Sequence, residues 1–336
     1  MVHVAILGAS GYTALELMKI LLRHPEVKIV SCVSRQEECP WVHDLHPILH
    51  GQLEIRCESF DVKSLLRKNV KCVFSCLPHG ASMDVIPEIL KAGIRVVDLS
   101  ADYRLKDPVV YKKWYGEDHK DLANLSHAVY GLPEFLAPEI QKANLVANPG
   151  CYPQTAILGL APLLGLGLVH ADQIIVDSKS GVSGAGRNPK QNTHFPECNE
   201  SVSAYQVGKH RHTPEMIQAL VQFGGKGVDL IFTPHLIPMD RGIFSAIYSK
   251  KKTDLDKKTL IQKVAEFYAG KPFVRVLDKL PATKDCWGTN FISLNYEIVN
   301  EFIICLAALD NLVRGASGVA VQNMNIMFGF PEKTGF

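Results

Sequence analysis

The stretch "VHVAILGASGYTALELMKILLRHPEVKIVSCVS" (residues 2–34) decides the fold class of this chain. Its first seven residues, "VHVAILG", read as a strand. "TALELMKILLRH" (13–24) then places apolar side chains at 15, 17, 18, 21 and 22, one face of a helix. "VKIVSCVS" (27–34) is the next strand. Strand, helix, strand at this spacing predicts a parallel sheet joined by right-handed crossovers. The loop "GASGYTA" (8–14) lies between the first strand and the helix. Gly8 and Gly11 permit a tight turn and close backbone approach, and the amides of Ser10, Gly11, Tyr12 and Thr13 would face a dinucleotide pyrophosphate at the positive helix end. A glycine turn that binds nothing is the plainer alternative.

The same alternation continues outward. "CVFSCL" (72–77), the helical "MDVIPEILKAG" (83–93), "IRVVDLS" (94–100) and "NLVANPG" (144–150) extend the parallel unit. Beyond residue 151 the character changes. Segments 171–186, 228–250 and 291–309 read as strands, the last two as hairpins, because "VNEF" leaves no room for a crossover helix. Helical spacing appears at 214–223, 255–269 and 318–329. The expected fold is an α/β Rossmann-type parallel sheet plus an α+β domain with a broad, mainly antiparallel sheet. The expected limits are 1–148 with 311–336 for a NADP-binding domain, and 149–310 for a catalytic and oligomerisation domain.

At 336 residues, two domains are expected. A net charge of +2 gives no electrostatic case for nucleic acid or an anionic membrane. No apolar run approaches the roughly 20 residues of a membrane span. Met1 leads straight into a strand, so no signal peptide is expected. The nine cysteines are scattered, without a CxxC pair, which points to a reducing compartment and to no metal site.

Ser34 and Arg35 stand at the end of the second strand, where NAD-dependent proteins usually carry an acidic residue. A hydroxyl and a guanidinium suit a 2′-phosphate, so NADP is the expected cofactor. An Arg on a solvated loop is the alternative. In "ANPGCYPQTAILGLAPLL" (147–164), Cys151 falls just past the last parallel strand, at or before a helix N-terminus that would stabilise a thiolate. A buried packing cysteine is the competing reading. "GKHRHTPEMIQAL" (208–220) offers His210 and His212 ahead of a helix with Thr213 as expected N-cap. The pair could be a general acid/base, a metal half-site or ordinary surface histidines.

Together these motifs resemble the N-acetyl-gamma-glutamyl-phosphate reductase family of acyl-phosphate reductases. The likeness runs through nearly the whole chain in "GASGYTALEL", "CLPHGAS", "DLSADYRL", "VYGLPE", "NPGCYPQTA", "SGVSGAGR", "GKHRHTPE", "PHLIPMDRGI" and "DNLVRGASGVAVQN". The resemblance implies an arginine-biosynthesis enzyme of the cytoplasm, a homo-oligomer (dimer or tetramer), in which NADPH reduces an acyl phosphate to a semialdehyde through a cysteine thioester. It implies Cys151 as nucleophile and His210 as acid/base, with a protonated His210 stabilising the developing oxyanion and favouring the thiolate. Pro78, Gly80, Ser180, Gly181, Ser183, Gly184, Asn311 and Gln322 would border the cofactor. Arg104, Arg211, Arg241 and Glu215 would meet substrate, although each Arg could equally be a structural ion-pair partner. Ala14 and Gln154 depart from the family pattern, which usually has Gly and Thr there. Two rivals stay open: a reductase of another acyl phosphate (aspartyl or carrier-bound aminoadipyl), and a non-catalytic NADP-binding regulator.

Overall fold

The alternation at the N-terminus folds as its periodicity dictates. β1 (Val2–Leu7) is buried from Val4 onward, and α1 (Tyr12–Leu21) turns Ala14, Leu17, Met18 and Leu21 inward. The computed structural model describes residues 1–36 and 38–336. Two units are distinguished: Met1–Pro149 with Ala316–Phe336, and Gly150–Gly315. The chain returns to the first unit at 315/316, where the sequence suggested 310/311. The reason is local. The Asp310 carboxylate accepts from the amides of Leu312 and Val313, and the Gly315 amide donates to Asp310 O, so 311–315 stay with the second unit.

In the first unit, β1 pairs in parallel with β2 (Val27–Val33) and β3 (Cys72–Ser75). With β4 (Arg95–Asp98), β5 (Val129–Tyr130) and β6 (Leu145–Ala147) the order is β2-β1-β3-β4-β6-β5, every pairing parallel. The order reverses between β1 and β3, the topological switch point at which such sheets bind ligands beyond their carboxyl ends. α2 (Ser82–Lys91) follows β3 and buries Met83, Ile86 and Ile89 in one core with Leu7, Val73 and Val96.

The second unit opens with α3 (Cys151–Gly165), whose residues 152–164 are all buried. A helix apolar all round needs cover on every side. α3 receives it from a seven-stranded sheet on one flank and from α4 (His212–Phe223) and α5 (Lys257–Phe267) on others. The strands are β7 (Val169–Ser180), β8 (Ser203–Ala204), β9 (Leu230–Leu236), β10 (Ile243–Lys251), β11 (Val274–Val276), β12 (Ile292–Val299) and β13 (Phe302–Leu309), in the order β11-β12-β13-β10-β7-β9-β8. β12 and β13 form the expected hairpin. Residues 228–250 do not: β7 inserts between β9 and β10, pairing in parallel with the first and antiparallel with the second. α6 (Gly318–Phe328) then packs against α1 in the first unit.

Candidate active site

The switch point in the first unit is shaped to take a phosphate. Gly8 has φ +76°, and a Cβ there would stand 2.6 Å from Cys76 O, so only glycine fits between the two strand ends. The Gly8 and Ala9 amides are spent on Val33 O. Gly11 is the N-cap of α1 and offers no side-chain cap, and the first turn of the helix carries no acid. An N-terminus without its own carboxylate suits an anionic ligand. His46 Nε2 lies 2.7 Å from Ala9 O and Ser317 Oγ donates to Thr13 O at 2.7 Å, so two residues far away in sequence fix the loop. Neither was legible, because both act through backbone oxygens.

Ser34 is buried just past β2, its Oγ accepting from the Gln36 amide, while Arg35 is exposed. A serine hydroxyl that accepts can also donate. Beyond β3, Gly80 has φ +81° and its amide donates to both oxygens of Asp102 (2.9 and 3.0 Å). The Pro78 carbonyl accepts from Ala81 in the same turn, and His79 Nδ1 accepts from the Ala101 amide. His79 thus supports this loop. Arg104 is buried, with its guanidinium on the carbonyls of Asn148 and Leu99, which holds the end of β6. Gln322 is fully buried in α6, its amide on Glu332.

In the second unit, Cys151 is the first residue of α3, half-buried, behind an N-cap glycine with extended backbone. Two contacts define its surroundings. Glu215, buried in the first turn of α4, accepts from the Gly150 amide at 2.8 Å and so ties the start of α3 to the start of α4. A Cβ on Gly315 would lie 2.8 Å from Cys151 Cβ, so only a glycine lets the backbone at 315 pack this closely against Cys151. Sequence reading missed Gly315; its only signal is the glycine inside "VRGAS". Burial pushes the thiols of Cys72, Cys76 and Cys305 up to about 12.

His210 sits in an aromatic wall made by Tyr152, Tyr205, Phe232 and His212, with ring centroids 4.7–5.7 Å away. Tyr205 donates to the Tyr152 hydroxyl, which donates to His235 O. Burial, and secondly the Arg211 guanidinium, push the His210 imidazole down to about 4. Its Nδ1 accepts from the His212 amide at 3.1 Å, so the neutral ring carries its proton on Nε2. This corrects the expected imidazolium: a desolvated ring beside a guanidinium stays neutral at physiological pH. The same contact moves the helix start. The His210 ring meets the His212 amide, Arg211 is the N-cap of α4, and Thr213 falls inside the first turn.

The remaining expected residues have internal partners. Arg211 is exposed, and Arg241 pairs with the fully buried Asp310 at 3.2 Å. Ser180 ends β7, and the turn after it is tied down by Gly181, Val182 and Ser183 amides on the carbonyls of Gly242, Met239 and Asp240. A Cβ on Gly181 would lie 2.4 Å from Asp240 O, and one on Gly184 3.0 Å from Ser180 Oγ. Asn311 joins this turn to its neighbour, donating to Ser183 Oγ and accepting from the Gly242 amide. Among the described residues, no group of three His, Cys, Asp or Glu side chains is arranged to hold a metal.

A dinucleotide-type sheet followed by a cysteine-headed helix beside a buried histidine defines the semialdehyde dehydrogenase class. Comparison with known proteins agrees. Residues 3–143 match the family model "Semialdehyde dehydrogenase, NAD binding domain", and 151–311 match "Semialdehyde dehydrogenase, dimerisation domain". The fold is similar to aspartate semialdehyde dehydrogenase with NADP from Candida albicans (TM-score 0.73, 13% identity, 98% of each chain) and to aspartate semialdehyde dehydrogenase II from Vibrio cholerae (TM-score 0.72, 16% identity, 98% of each chain). Closer in sequence are the N-acetyl-gamma-glutamyl-phosphate reductases of Rhodopirellula baltica (46% identical, covering 99% of this chain and 97% of that protein) and Geobacter metallireducens (47%, covering 100% and 98%). The chain belongs to the N-acetyl-gamma-glutamyl-phosphate reductase family.

Proposed function

We propose that the chain reduces N-acetyl-gamma-glutamyl phosphate to N-acetylglutamate 5-semialdehyde and phosphate in arginine biosynthesis, with NADPH as reductant and an acyl thioester on Cys151. The observation that carries this reading is Cys151 as the first residue of α3, only half-buried, with the bare backbone of Gly315 packed against it. The Cys151 thiolate attacks the γ-acyl carbon, a C–S bond forms, the C–O bond to phosphorus breaks and phosphate leaves with the electron pair. NADPH, when bound, supplies the hydride that the acyl carbon accepts. The oxyanion left on that carbon takes a hydrogen bond from His210 Nε2–H. It then re-forms the carbonyl, expelling the Cys151 thiolate and releasing the aldehyde. No proton is consumed in that collapse, so a neutral His210 is sufficient.

Ser10, Gly11, Tyr12 and Thr13 would hold the pyrophosphate, brought close by the turn at Gly8, with Ser34 and Arg35 on the 2′-phosphate and Pro78 and Gly80 at the adjoining rim. The turn at Ser180, Gly181, Ser183 and Gly184, braced by Asn311, would border the acyl group and nicotinamide; Gln322 supports the return helix. Arg211, exposed at the N-cap of α4, is a substrate-facing cation in this reading. Arg104, Arg241 and Glu215 act by positioning, since their partners are the end of β6, Asp310 and the α3 start.

The assembly is a homo-oligomer, proposed as a dimer through the helix-free face of the second sheet. Ile231, Ile175, Tyr248 and Ile304 are register partners across β9, β7, β10 and β13. The alternate residues Ser245 and Ile247 face α3, so this row points away from the helices. Nine free thiols suit a reducing compartment, here the cytoplasm. The reverse assay tests the reading. NADP⁺ should be reduced with N-acetylglutamate semialdehyde and phosphate far faster than with aspartate semialdehyde; equal rates would assign a different acyl phosphate.

A further inference from the structure

Gln154 is the polar residue of the cysteine helix whose side chain meets no hydrogen-bond partner among the described residues. It lies in the first turn of α3, three residues after Cys151, and is fully buried. Both polar atoms of its amide, Oε1 and Nε2, are closed to solvent and meet no hydrogen-bond partner among the described residues. Its neighbour Thr155 shows what a satisfied position looks like there, with Oγ1 on Ser245 Oγ at 2.7 Å. Residues three apart share a helix face, and helical side chains lean toward the N-terminus, so the residue at 154 covers the turn that carries Cys151. A second unmet group, Thr213 Oγ1, sits in the first turn of α4. Glu215 ties that turn to the start of α3.

A buried amide with nothing to bond lowers stability, and natural proteins keep very few. Apolar Met or Leu would fill the same space without that cost, so retention of an amide here asks for a partner that the free protein lacks. We propose that this partner is the acyl group carried on Cys151, with Gln154 Nε2–H donating to its carbonyl oxygen as negative charge develops there. The acyl oxygen is tethered to Sγ and reaches the amide from the Cys151 side, so a site closed to bulk water is no obstacle. Dryness strengthens the bond. Gln154 would then be a second oxyanion donor beside His210. The assignment rests on the thioester reading of Cys151.

The test compares wild type with Gln154→Met, which keeps length and helix propensity but removes both polar atoms. Removing a transition-state donor should lower kcat and kcat/KM together, by about 10- to 100-fold, with KM little changed. Removing an unmet buried amide should leave thermal stability equal or higher, by roughly 2–4 °C. Alkylation of Cys151 by iodoacetamide should keep its rate, because the donor serves the acyl oxygen and not the sulfur. A slower enzyme that is no less stable is the expected result. Unchanged kcat would overturn the assignment and leave the amide as a packing cost. A fall in stability would overturn it as well, since the amide would then have a partner within the free protein. Gln154→Leu, read the same way, replaces the Met variant if that chain fails to fold. A wild type without acyl-phosphate turnover overturns the thioester reading itself, whereas turnover by wild type beside an unimpaired Met variant overturns only the role of Gln154.

Discussion

In the proposed reaction a single histidine serves the chemistry and the pH dependence in different ways. His210 sits near 4 in the fold, against 6.5 for a free imidazole, chiefly because it is buried. As pH falls below about 6.5 the unfolded chain takes up a proton that the fold refuses, so this contribution to stability is present above 6.5 and lost progressively down to about 4. The loss is on the order of 3 kcal/mol when complete. His210→Asn should remove it: urea midpoints of wild type and variant should converge, or cross in favour of the variant, between pH 7 and 4.5. Turnover should fall about 10²–10⁴-fold, while the pH at which Cys151 is alkylated stays put, because no imidazolium is lost. A shifted thiol titration would restore the charged-histidine account. At the other site, Arg35→Asp should reduce the preference for NADPH over NADH by roughly 10- to 150-fold. The ratio of kcat/KM for the two cofactors measures this. An unaltered ratio would make Arg35 a bystander.

At the scale of elements, both loops depend on glycines that no side chain can replace. Gly8→Ala would press a methyl group into Cys76 O and should weaken NADPH binding by at least 10-fold, with little effect on Cys151 alkylation. Gly315→Ala would press on Cys151 itself, and should cut turnover while the affinity for NADPH, measured by fluorescence titration, holds. The first glycine was legible because a strand, a G-x-x-G loop and a helix adjoin in sequence. The second was not, since its demand comes from a helix that begins 164 positions earlier (315 − 151). The same limit explains the strand error at 228–250. Alternation and a turn signal announce two strands, but nothing local announces that β7 will lie between them. Nor could sequence reveal that the His210 ring would meet the His212 amide and move the start of α4 ahead of Thr213.

For the whole molecule, composition and periodicity were enough to separate a parallel unit from a mixed sheet, because strand spacing and crossover length are local quantities. That the chain assembles was expected from the resemblance, but the face it would use was not legible. The proposed face is the one of the second sheet opposite α3, and only the register across β9, β7, β10 and β13 displays its row of Ile231, Ile175, Tyr248 and Ile304. Ile175 and Ile231 are 44% and 61% exposed, unusual for isoleucines side by side on neighbouring strands. Ile175→Asp with Ile231→Asp should yield a monomer by sedimentation without unfolding the chain; an unchanged assembly would move the interface elsewhere. The acyl bond to Cys151 can be caught without any nucleotide. Mixing the intact protein with N-acetyl-gamma-glutamyl phosphate in the absence of NADPH should release one phosphate per chain at once. Intact-mass and peptide analysis should then find the N-acetylglutamyl group on Cys151, and on none of the other eight cysteines. A wild type that releases no phosphate until NADPH is added, or that carries the acyl group anywhere but Cys151, would contradict the account.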